Sequence, residues 1–187
     1  PPPLSHSHTT LALLPSHSMH LMSLVYILLG PPAVGKTSFA SKLAFHLSNP
    51  PAPVISFDQV TGIVGVGGSD LTYRQTREVC EGVVASLAMC DPSVPSIVVD
   101  DTFHLRSLRK SFVRSLPPGT SVKWVHLIGE LPVLLERNKR RVTDVTEQSL
   151  TKIVSMFQPP GSRMKGEGVP VFERNNVITV DGPTSPE

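Results

Sequence analysis

The chain has few cysteines, few charges and no long uninterrupted apolar run in its 187 residues. Cys80 and Cys90 are its only cysteines. Both fall in a predicted helix over 71–90, which would hold their Cα atoms ~15 Å apart, well beyond the ~7 Å that a disulfide spans. Neither has a cysteine or histidine companion at metal-ligand spacing, so we expect core thiols. Such sparse use of cysteine predicts a reducing, intracellular compartment, and we expect a cytoplasmic protein.

Lysine and arginine are missing from the first twenty positions, which are rich in proline, serine and histidine. A secretory signal needs a basic n-region and an organelle transit peptide is usually rich in arginine, so the segment fits neither well. Proline and histidine also interrupt the apolar residues of 11–29, which argues against a membrane span. The histidines could hold a metal loosely, but the composition favours a disordered tail. We therefore expect a disordered extension over 1–21 and one domain over 22–187.

Charged residues make up only 17% of the chain, and they are unevenly distributed. The net charge is +2, yet residues 101–165 hold twelve lysines and arginines against five acids, whereas residues 1–100 hold four against six. A basic half of this kind predicts either a polyanionic partner or a cluster of arginines that closes over a nucleotide. Composition leaves both interpretations open.

One stretch predicts a specific ligand, because residues 30–37 (GPPAVGKT) fit G-x-x-x-x-G-K-[ST]. In this motif the glycines let backbone N–H groups curl around a phosphate, the lysine reaches the β- and γ-phosphate oxygens, and the hydroxyl ligates Mg²⁺. An apolar run over 24–29 precedes it, and apolar residues at helical spacing follow it over 38–47. This order of strand, loop and helix predicts an ATP-binding P-loop. Its expected nucleotide ligands are Gly30, Gly35, Lys36, Thr37 and Ser38, with Lys36 also catalytic and Thr37 also a metal ligand.

Strands and helices alternate along the rest of the chain. Predicted strands cover 24–29, 53–57, 96–99, 121–128 and 176–180, and predicted helices cover 38–47, 71–89, 104–116, 131–141 and 146–157. This alternation predicts an α/β fold with three layers (α/β/α) around a five-stranded, mainly parallel sheet. Together with the P-loop, it leads us to expect the P-loop kinase-like type. Residues 61–68 predict a glycine-rich loop, and residues 69–70 predict a helix cap. Within the helix over 71–89, the expected buried stripe is Val79, Val83, Leu87 and Ala88.

Three acids follow predicted strands, where the ligands of an α/β sheet gather. The apolar strand over 96–99 ends at Asp100 and Asp101, a Walker B pattern, and either carboxylate could hold Mg²⁺ beside Thr37 while the other turns toward substrate. Asp58 follows the second strand, where it could accept the proton of an acceptor hydroxyl near the γ-phosphate, with a turn or helix-cap aspartate as the alternative. We therefore predict Asp58 as a catalytic base and both Asp100 and Asp101 as metal candidates.

Arginines are concentrated where a compact P-loop kinase places its lid. Arg137, Arg140 and Arg141 end the helix after the fourth strand, and Arg137 and Arg141 share one helix face. We predict that Arg137 and Arg141 are catalytic and bind ATP, with a solvated helix end as the alternative. Two further pairs, in which the members are three residues apart, have an exposed helix face as their alternative: Arg74 with Arg77, and Arg106 with Arg109. Of these, the residues predicted to bind substrate are Arg74, Arg106 and Arg109.

Six segments, in the same order, resemble the L-seryl-tRNA(Sec) kinase family. Residues 100–109 (DDTFHLRSLR) resemble its D-D-x-x-Y-x-R-S-M-R signature, which the related Elongator-associated P-loop regulator carries in a looser form. Besides the P-loop, the other segments are ISFD at 55–58, YRQTRE at 73–78, LERN at 135–138 with Arg141, and FERN at 172–175. The likeness extends over residues 22–181.

The resemblance implies ATP- and Mg²⁺-dependent phosphorylation of the seryl hydroxyl on selenocysteine tRNA, a step in selenocysteine synthesis. It implies ATP and a tRNA as partners, and no membrane. The matching residues would be Lys36 and Thr37 on triphosphate and metal, Asp58 as base, Asp100 or Asp101 at the Mg²⁺ site, and Arg137 and Arg141 over ATP.

The chain departs from this family in three ways. His104, Leu105 and Leu108 replace aromatic and methionine positions, and no arginine follows Asp58. This sequence holds no counterpart of the family's additional tRNA-gripping sequence after the fifth strand, so either the sequence is truncated or the protein phosphorylates another acceptor. Two alternatives therefore stay open: an ATP-hydrolysing regulator of the Elongator-associated type, and a small-metabolite kinase on the same scaffold.

Overall fold

The computed structural model describes residues 23–64, 73–90, 95–141, 145–163, 168–174 and 176–182. Its centre is a five-stranded sheet in the order β2-β3-β1-β4-β5, and every pair of neighbouring strands is parallel. The strands are β1 (Leu24–Leu29), β2 (Val54–Ser56), β3 (Ser96–Asp100), β4 (Ser121–Ile128) and β5 (Val177–Asp181). The helices are α1 (Lys36–Leu47), α2 (Phe57–Val64), α3 (Tyr73–Cys90), α4 (Arg106–Ser115), α5 (Leu131–Lys139) and α6 (Glu147–Met156).

The two central strands bring the functional loops together. β1 lies between β3 and β4, and its register pairs Leu28 with Asp100. Both strands are apolar and almost wholly buried, because a parallel sheet is covered on both faces. Since parallel strands end at the same edge, the loops after β1, β2 and β3 open onto one side of the sheet.

Two apolar cores, one on each face of the sheet, confirm the predicted three-layer α/β fold. On one face, β1 and β3 contribute Val25 and Val99, which pack with residues of α3 and α4. On the other face, Leu28 and Val98 pack with residues of α1, α5 and α6. Among the described helices, none has both the length and the apolar character needed to cross a bilayer.

The predicted glycine-rich loop begins later than expected, because residues 57–64 form helix α2. Phe57 is buried, and Val60, three residues on, packs against the same core. This spacing places both residues on one helix face. The helical pattern was overlooked because of the glycines that follow. Residues 65–68 of the predicted loop and the cap at 69–70 lie outside the described residues, as does the predicted extension over 1–21.

The predicted buried stripe of α3 was correct at Leu87 and Ala88 and wrong at Val79 and Val83. Ala88 is buried and Leu87 packs against the core, whereas Val79 and Val83 are 43% and 39% exposed and their neighbours Cys80 and Val84 are buried instead. The buried face also carries the polar Thr76 and Arg77, so its apolar periodicity was hidden at the start of the helix. Cys80 is a buried free thiol, as predicted, and the side chain of Cys90 lies outside the described residues.

Candidate nucleotide and acceptor site

A cavity of about 940 Å³ opens beyond the carboxyl ends of β1, β2 and β3. It collects most of the predicted site residues from four separate parts of the chain. Its lining includes Gly35, Lys36, Thr37, Ser38, Asp58, Asp100, Asp101, Arg137 and Arg141. Arg74, Arg106 and Arg109 are not among the lining residues.

The loop between β1 and α1 has the backbone of an anion cradle. Gly30, Ala33 and Gly35 have positive φ values of 151°, 64° and 100°. A side chain at position 30 would meet the carbonyl oxygen of Leu127 at 2.5 Å, so this position requires glycine. α1 begins directly after Gly35, and its free N–H groups and helix dipole favour a bound anion.

Lys36 closes the loop on itself. Its Nζ donates to the carbonyl oxygens of Gly30 at 3.0 Å and Pro31 at 2.9 Å. Burial lowers the pKa of Lys36, and the nearby carboxylates of Asp100, Asp101 and Asp58 oppose that shift. The lysine is therefore a desolvated cation beside the loop, in the position from which it reaches phosphate oxygens.

Thr37 and Asp100 form the second contact of this site. The Thr37 hydroxyl donates to Asp100 Oδ2 at 2.8 Å, although the residues are 63 apart in sequence. Burial raises the pKa of Asp100, while the hydrogen bond from Thr37 and the charge of Lys36 lower it. A hydroxyl and a carboxylate oxygen side by side are ligands that suit Mg²⁺, which takes one or two protein oxygens plus phosphate and water. Consistent with so few protein ligands, the described residues contain no cluster of three or more His, Cys, Asp or Glu side chains.

Asp101 lies on the other side of the strand end. Its side chain is 9% exposed, and its Oδ2 lies 3.8 Å from Arg77 Nη1. Burial raises the pKa of Asp101 to about 6, against a hydrogen bond from the Thr102 backbone and the charge of Arg77. The two adjacent acids thus have different partners, Thr37 for Asp100 and Arg77 for Asp101.

Asp58 lies in the first turn of α2, two residues after β2 ends at Ser56. It was predicted directly at the end of the strand, and it lines the cavity from the helix instead. Its charge raises the pKa of Lys36, Asp100 and Asp101. The carboxylate is therefore close enough to the P-loop to interact with a group that approaches the phosphates.

The predicted lid arginines meet the cavity at the end of α5. Arg137 belongs to the last turn of the helix, and Arg141 lies just beyond it. The charge of Arg141 lowers the pKa of both Lys36 and Asp100. Asn138 holds the two ends of this segment together, because its amide nitrogen donates to the Val145 carbonyl and its Oδ1 accepts from the Val145 N–H at 3.2 Å. The polar turn at 143–144 lies outside the described residues.

Comparison with known proteins agrees with this geometry. Residues 25–160, well over half of the chain, match a family model described as an AAA domain. The chain belongs to this family. The AAA domain is thus a P-loop nucleotide-binding domain, and the matched residues include the whole cavity lining and, apart from Leu24, four of the five strands, with β5 outside them.

Solved structures share the fold of this AAA domain at low sequence identity. A gluconokinase from Sinorhizobium meliloti 1021 is 20% identical, with 89% of this chain and 85% of that chain covered and a TM-score of 0.56. Chaetomium thermophilum Kti12, solved in complex with ADP-AlF3, is 12% identical, with coverages of 84% and 88% and a TM-score of 0.60. A sugar kinase from Janibacter sp. HTCC2649 is 17% identical, with coverages of 86% and 84% and a TM-score of 0.51. The AAA domain therefore has a P-loop kinase-like fold.

Arg109 is a correction to the predicted substrate site. Its side chain is fully buried, and its Nε donates to the equally buried Glu173 at 2.6 Å. Its Nη1 donates to the Phe103 carbonyl at 2.9 Å, and Glu173 Oε2 accepts from the Gly161 N–H at 2.8 Å. This residue joins α4, the end of β3 and the segment before β5, so it holds the domain together and does not face a ligand.

The other two predicted substrate arginines also lie away from the cavity lining. Arg106 is buried, and its guanidinium donates to the Ser162 carbonyl, which ties α4 to the segment after α6. Arg74 points to solvent, with 88% of its side chain exposed and a 2.9 Å ion pair to Glu78. Arg74 therefore lies on an exposed helix face, which was the alternative to a role in substrate binding.

Sequence reasoning overlooked two residues near the site. Gln59 lines the cavity next to Asp58, and no motif marked it. Arg77 was named only as a companion of Arg74, yet it is buried against Asp101 and donates to Glu81 at 2.7 Å. The i, i+4 spacing of Arg77 and Glu81 was a signal available in the sequence.

Proposed function

We propose that this AAA domain is an ATP- and Mg²⁺-dependent phosphotransferase with an alcohol group as acceptor. The observation that carries the proposal is one cavity that contains the Lys36 loop and the Thr37–Asp100 pair, with Asp58 and two arginines around them. Phosphoryl transfer needs positioned charge more than covalent chemistry, and these residues supply both signs of charge.

The proposed reaction assigns a task to each group. Lys36, the P-loop backbone and the Thr37–Asp100 pair would hold the triphosphate and its Mg²⁺, which neutralises charge on the phosphates. The acceptor oxygen forms a bond to the γ-phosphorus as the bond to the β–γ bridging oxygen breaks. The acceptor's proton passes to the Asp58 carboxylate, and ADP leaves with the bridging oxygen. Arg137 and Arg141 would stabilise the negative charge that develops on the moving group.

For the acceptor, we propose the seryl hydroxyl of seryl-tRNA(Sec), on the strength of the six resembling segments. The structure weakens the support that two of those segments, 100–109 and 172–175, give to this acceptor. Arg109 and Glu173, one from each segment, pair with one another in the core, so their presence is explained by the fold alone. A small polyol remains the second candidate, since the gluconokinase and the sugar kinase share this fold. An ATP-hydrolysing regulator is the alternative without an acceptor. A cytoplasmic location remains part of the proposal, on the sparse use of cysteine.

The test is incubation of the protein with γ-labelled ATP, Mg²⁺ and serine-charged tRNA(Sec), with uncharged tRNA(Sec) and D-gluconate as parallel acceptors. We expect label in phosphoserine released from the charged tRNA and none on the uncharged tRNA. Label on gluconate alone would reassign the acceptor to a small polyol. Label found only in free phosphate would contradict the phosphotransferase proposal and favour the regulator.

A further inference from the structure

We propose that Asp101 binds the acceptor, by accepting a hydrogen bond from an N–H or O–H group next to the hydroxyl that is phosphorylated, and that Arg77 is its positioning residue. This inference rests on the proposed function and deepens it, since it names the chemistry of the acceptor: an alcohol with a neighbouring hydrogen-bond donor. The α-ammonium group of a seryl ester and the second hydroxyl of a polyol both satisfy it.

The first observation is a buried carboxylate oxygen without a hydrogen-bond partner, on a residue that lines the cavity. Asp101 lines the cavity, yet its side chain is only 9% exposed. Within the described part of the chain, neither Asp101 Oδ2 nor Arg77 Nη1 has a hydrogen-bond partner. Their separation of 3.8 Å is too long for a hydrogen bond between them. A buried carboxylate oxygen without a partner is costly, and its presence beside a binding cavity is explained if a ligand supplies the donor.

The second observation is that Arg77 is held by contacts on its other sides. Its Nε and Nη2 donate to Glu81 Oε1 at 3.2 and 2.7 Å, and Nη2 also donates to the Leu108 carbonyl at 3.1 Å. The guanidinium carbon lies 5.7 Å from the ring centroid of Phe57 and 5.2 Å from that of Phe103. Aromatic faces and a carboxylate therefore fix the cation on three sides. Arg77 supplies a stationary positive charge that keeps the Asp101 carboxylate oriented.

The third observation is that the neighbouring carboxylates of Asp100 and Asp101 have different partners. Asp100 Oδ2 is engaged by the Thr37 hydroxyl at 2.8 Å, on the metal side of the strand end. Asp101 is its chain neighbour and is directed to Arg77 of α3, on the side from which β2 and Asp58 approach. An acceptor whose hydroxyl meets Asp58 would therefore present its neighbouring group to Asp101.

The test compares Asp101→Asn with Asp100→Asn and the wild type, using serine-charged tRNA(Sec) in one arm and D-gluconate in the other. The loss of one hydrogen bond to a charged group predicts a rise of about 10- to 100-fold in the KM of Asp101→Asn for the acceptor that wild type uses. Its KM for ATP and its Mg²⁺ dependence should stay within twofold of wild type. A changed Mg²⁺ dependence, or an unchanged acceptor KM, would overturn the proposal.

Arg77 is tested by the split between acceptor and ATP parameters. Arg77→Met should raise the acceptor KM as Asp101→Asn does, and Arg77→Lys, which restores the charge, should recover part of the loss. Circular dichroism of each variant identifies any that fail to fold, and Asp101→Asn then carries the test alone. If a folded Arg77→Met changes the KM for ATP and leaves that for the acceptor unchanged, the positioning role is wrong.

Failure of the proposed function would be distinguishable from failure of this inference. If wild type phosphorylates neither acceptor but hydrolyses ATP, the phosphotransferase proposal falls. The hydrolysis assay then decides the place of Asp101. If Asp101→Asn hydrolyses ATP with a normal dependence on Mg²⁺ and ATP while Asp100→Asn does not, Asp101 lies outside the metal site. If both variants change that dependence equally, the inference is overturned.

Discussion

The nucleotide cavity and the buried polar core formed by Arg109 and Glu173 both contain residues that belong to sequence motifs. The charged groups of the two regions have different surroundings. In the cavity, Lys36 and Thr37 are lining residues, and within the described part of the chain their side-chain hydrogen bonds go to the loop and to Asp100. In the core, Arg109 and Glu173 have no exposed surface and contact each other. An arginine of a sequence motif can therefore bind a ligand only where no buried carboxylate already pairs with its guanidinium group. Mutations should therefore separate the two regions, with activity lost in one and stability in the other.

The largest effect is expected from Arg109→Met. Removing one partner of a buried ion pair leaves the Glu173 carboxylate without compensation, which typically costs about 3–5 kcal/mol in the free energy of unfolding. Urea denaturation of the purified variant measures this loss. Arg74→Met is the matched control, because its ion pair with Glu78 is exposed and should contribute no more than ~0.5 kcal/mol. If Arg109→Met were as stable as wild type but had a raised KM for the acceptor, the substrate-binding prediction would be restored.

Lys36→Ala should produce the opposite result. Loss of a cation that stabilises transition-state charge reduces turnover by about 10²- to 10³-fold, while stability should change little because the hydrogen bonds of the lysine within the described residues go to two carbonyls of its own loop. The measurement is ATP turnover with Mg²⁺ together with a urea curve. Lys42→Ala, on the exposed side of the same helix, is the control and should have wild-type turnover. Normal turnover in Lys36→Ala would remove the P-loop from the mechanism.

These two regions also explain what could be predicted from sequence. The P-loop was predictable because its backbone, its lysine and its helix are contiguous, so each residue's task follows from spacing. The parallel sheet, its covering helices and the edge at which ligands gather followed from the alternation of strands and helices. The ion pair between Arg109 and Glu173 joins residues 64 apart, and no local pattern indicates which arginine of a basic helix turns inward. For the same reason Val79 and Val83 of α3 were predicted wrongly, since Thr76 and Arg77 are polar residues on the buried face and hide its apolar periodicity.

The smallest effect concerns His126, which lies on β4 beside the buried core. Its ring stacks on Phe157 at 5.0 Å, and burial, with the charge of Arg109, lowers its pKa to about 4. Because an unfolded histidine titrates near 6.5, the unfolded chain takes up the proton first as the pH falls. Stability is therefore lost between pH 6.5 and 4, by up to ~1.4 kcal/mol for each pH unit.

The variant that tests this is His126→Phe, which keeps a ring against Phe157 and removes the titrating group. Urea midpoints measured from pH 7 to pH 4 should fall less steeply in His126→Phe than in wild type. If the urea midpoints of the two proteins fell equally with pH, the pKa of His126 would not be lowered in the folded core and this prediction would be wrong.

The central claim is that the cavity divides into a metal and nucleotide half at Asp100 and an acceptor half at Asp58. The most direct test is a Mg²⁺ titration of ATP turnover and of fluorescent ADP binding in Asp100→Asn and Asp58→Asn. We predict that Asp100→Asn needs on the order of tenfold more Mg²⁺, as expected when a metal site loses one charged ligand. Asp58→Asn should bind the nucleotide with wild-type Mg²⁺ dependence and lose phosphoryl transfer by about 10²-fold or more. Equal shifts in the Mg²⁺ dependence of both variants would contradict the division.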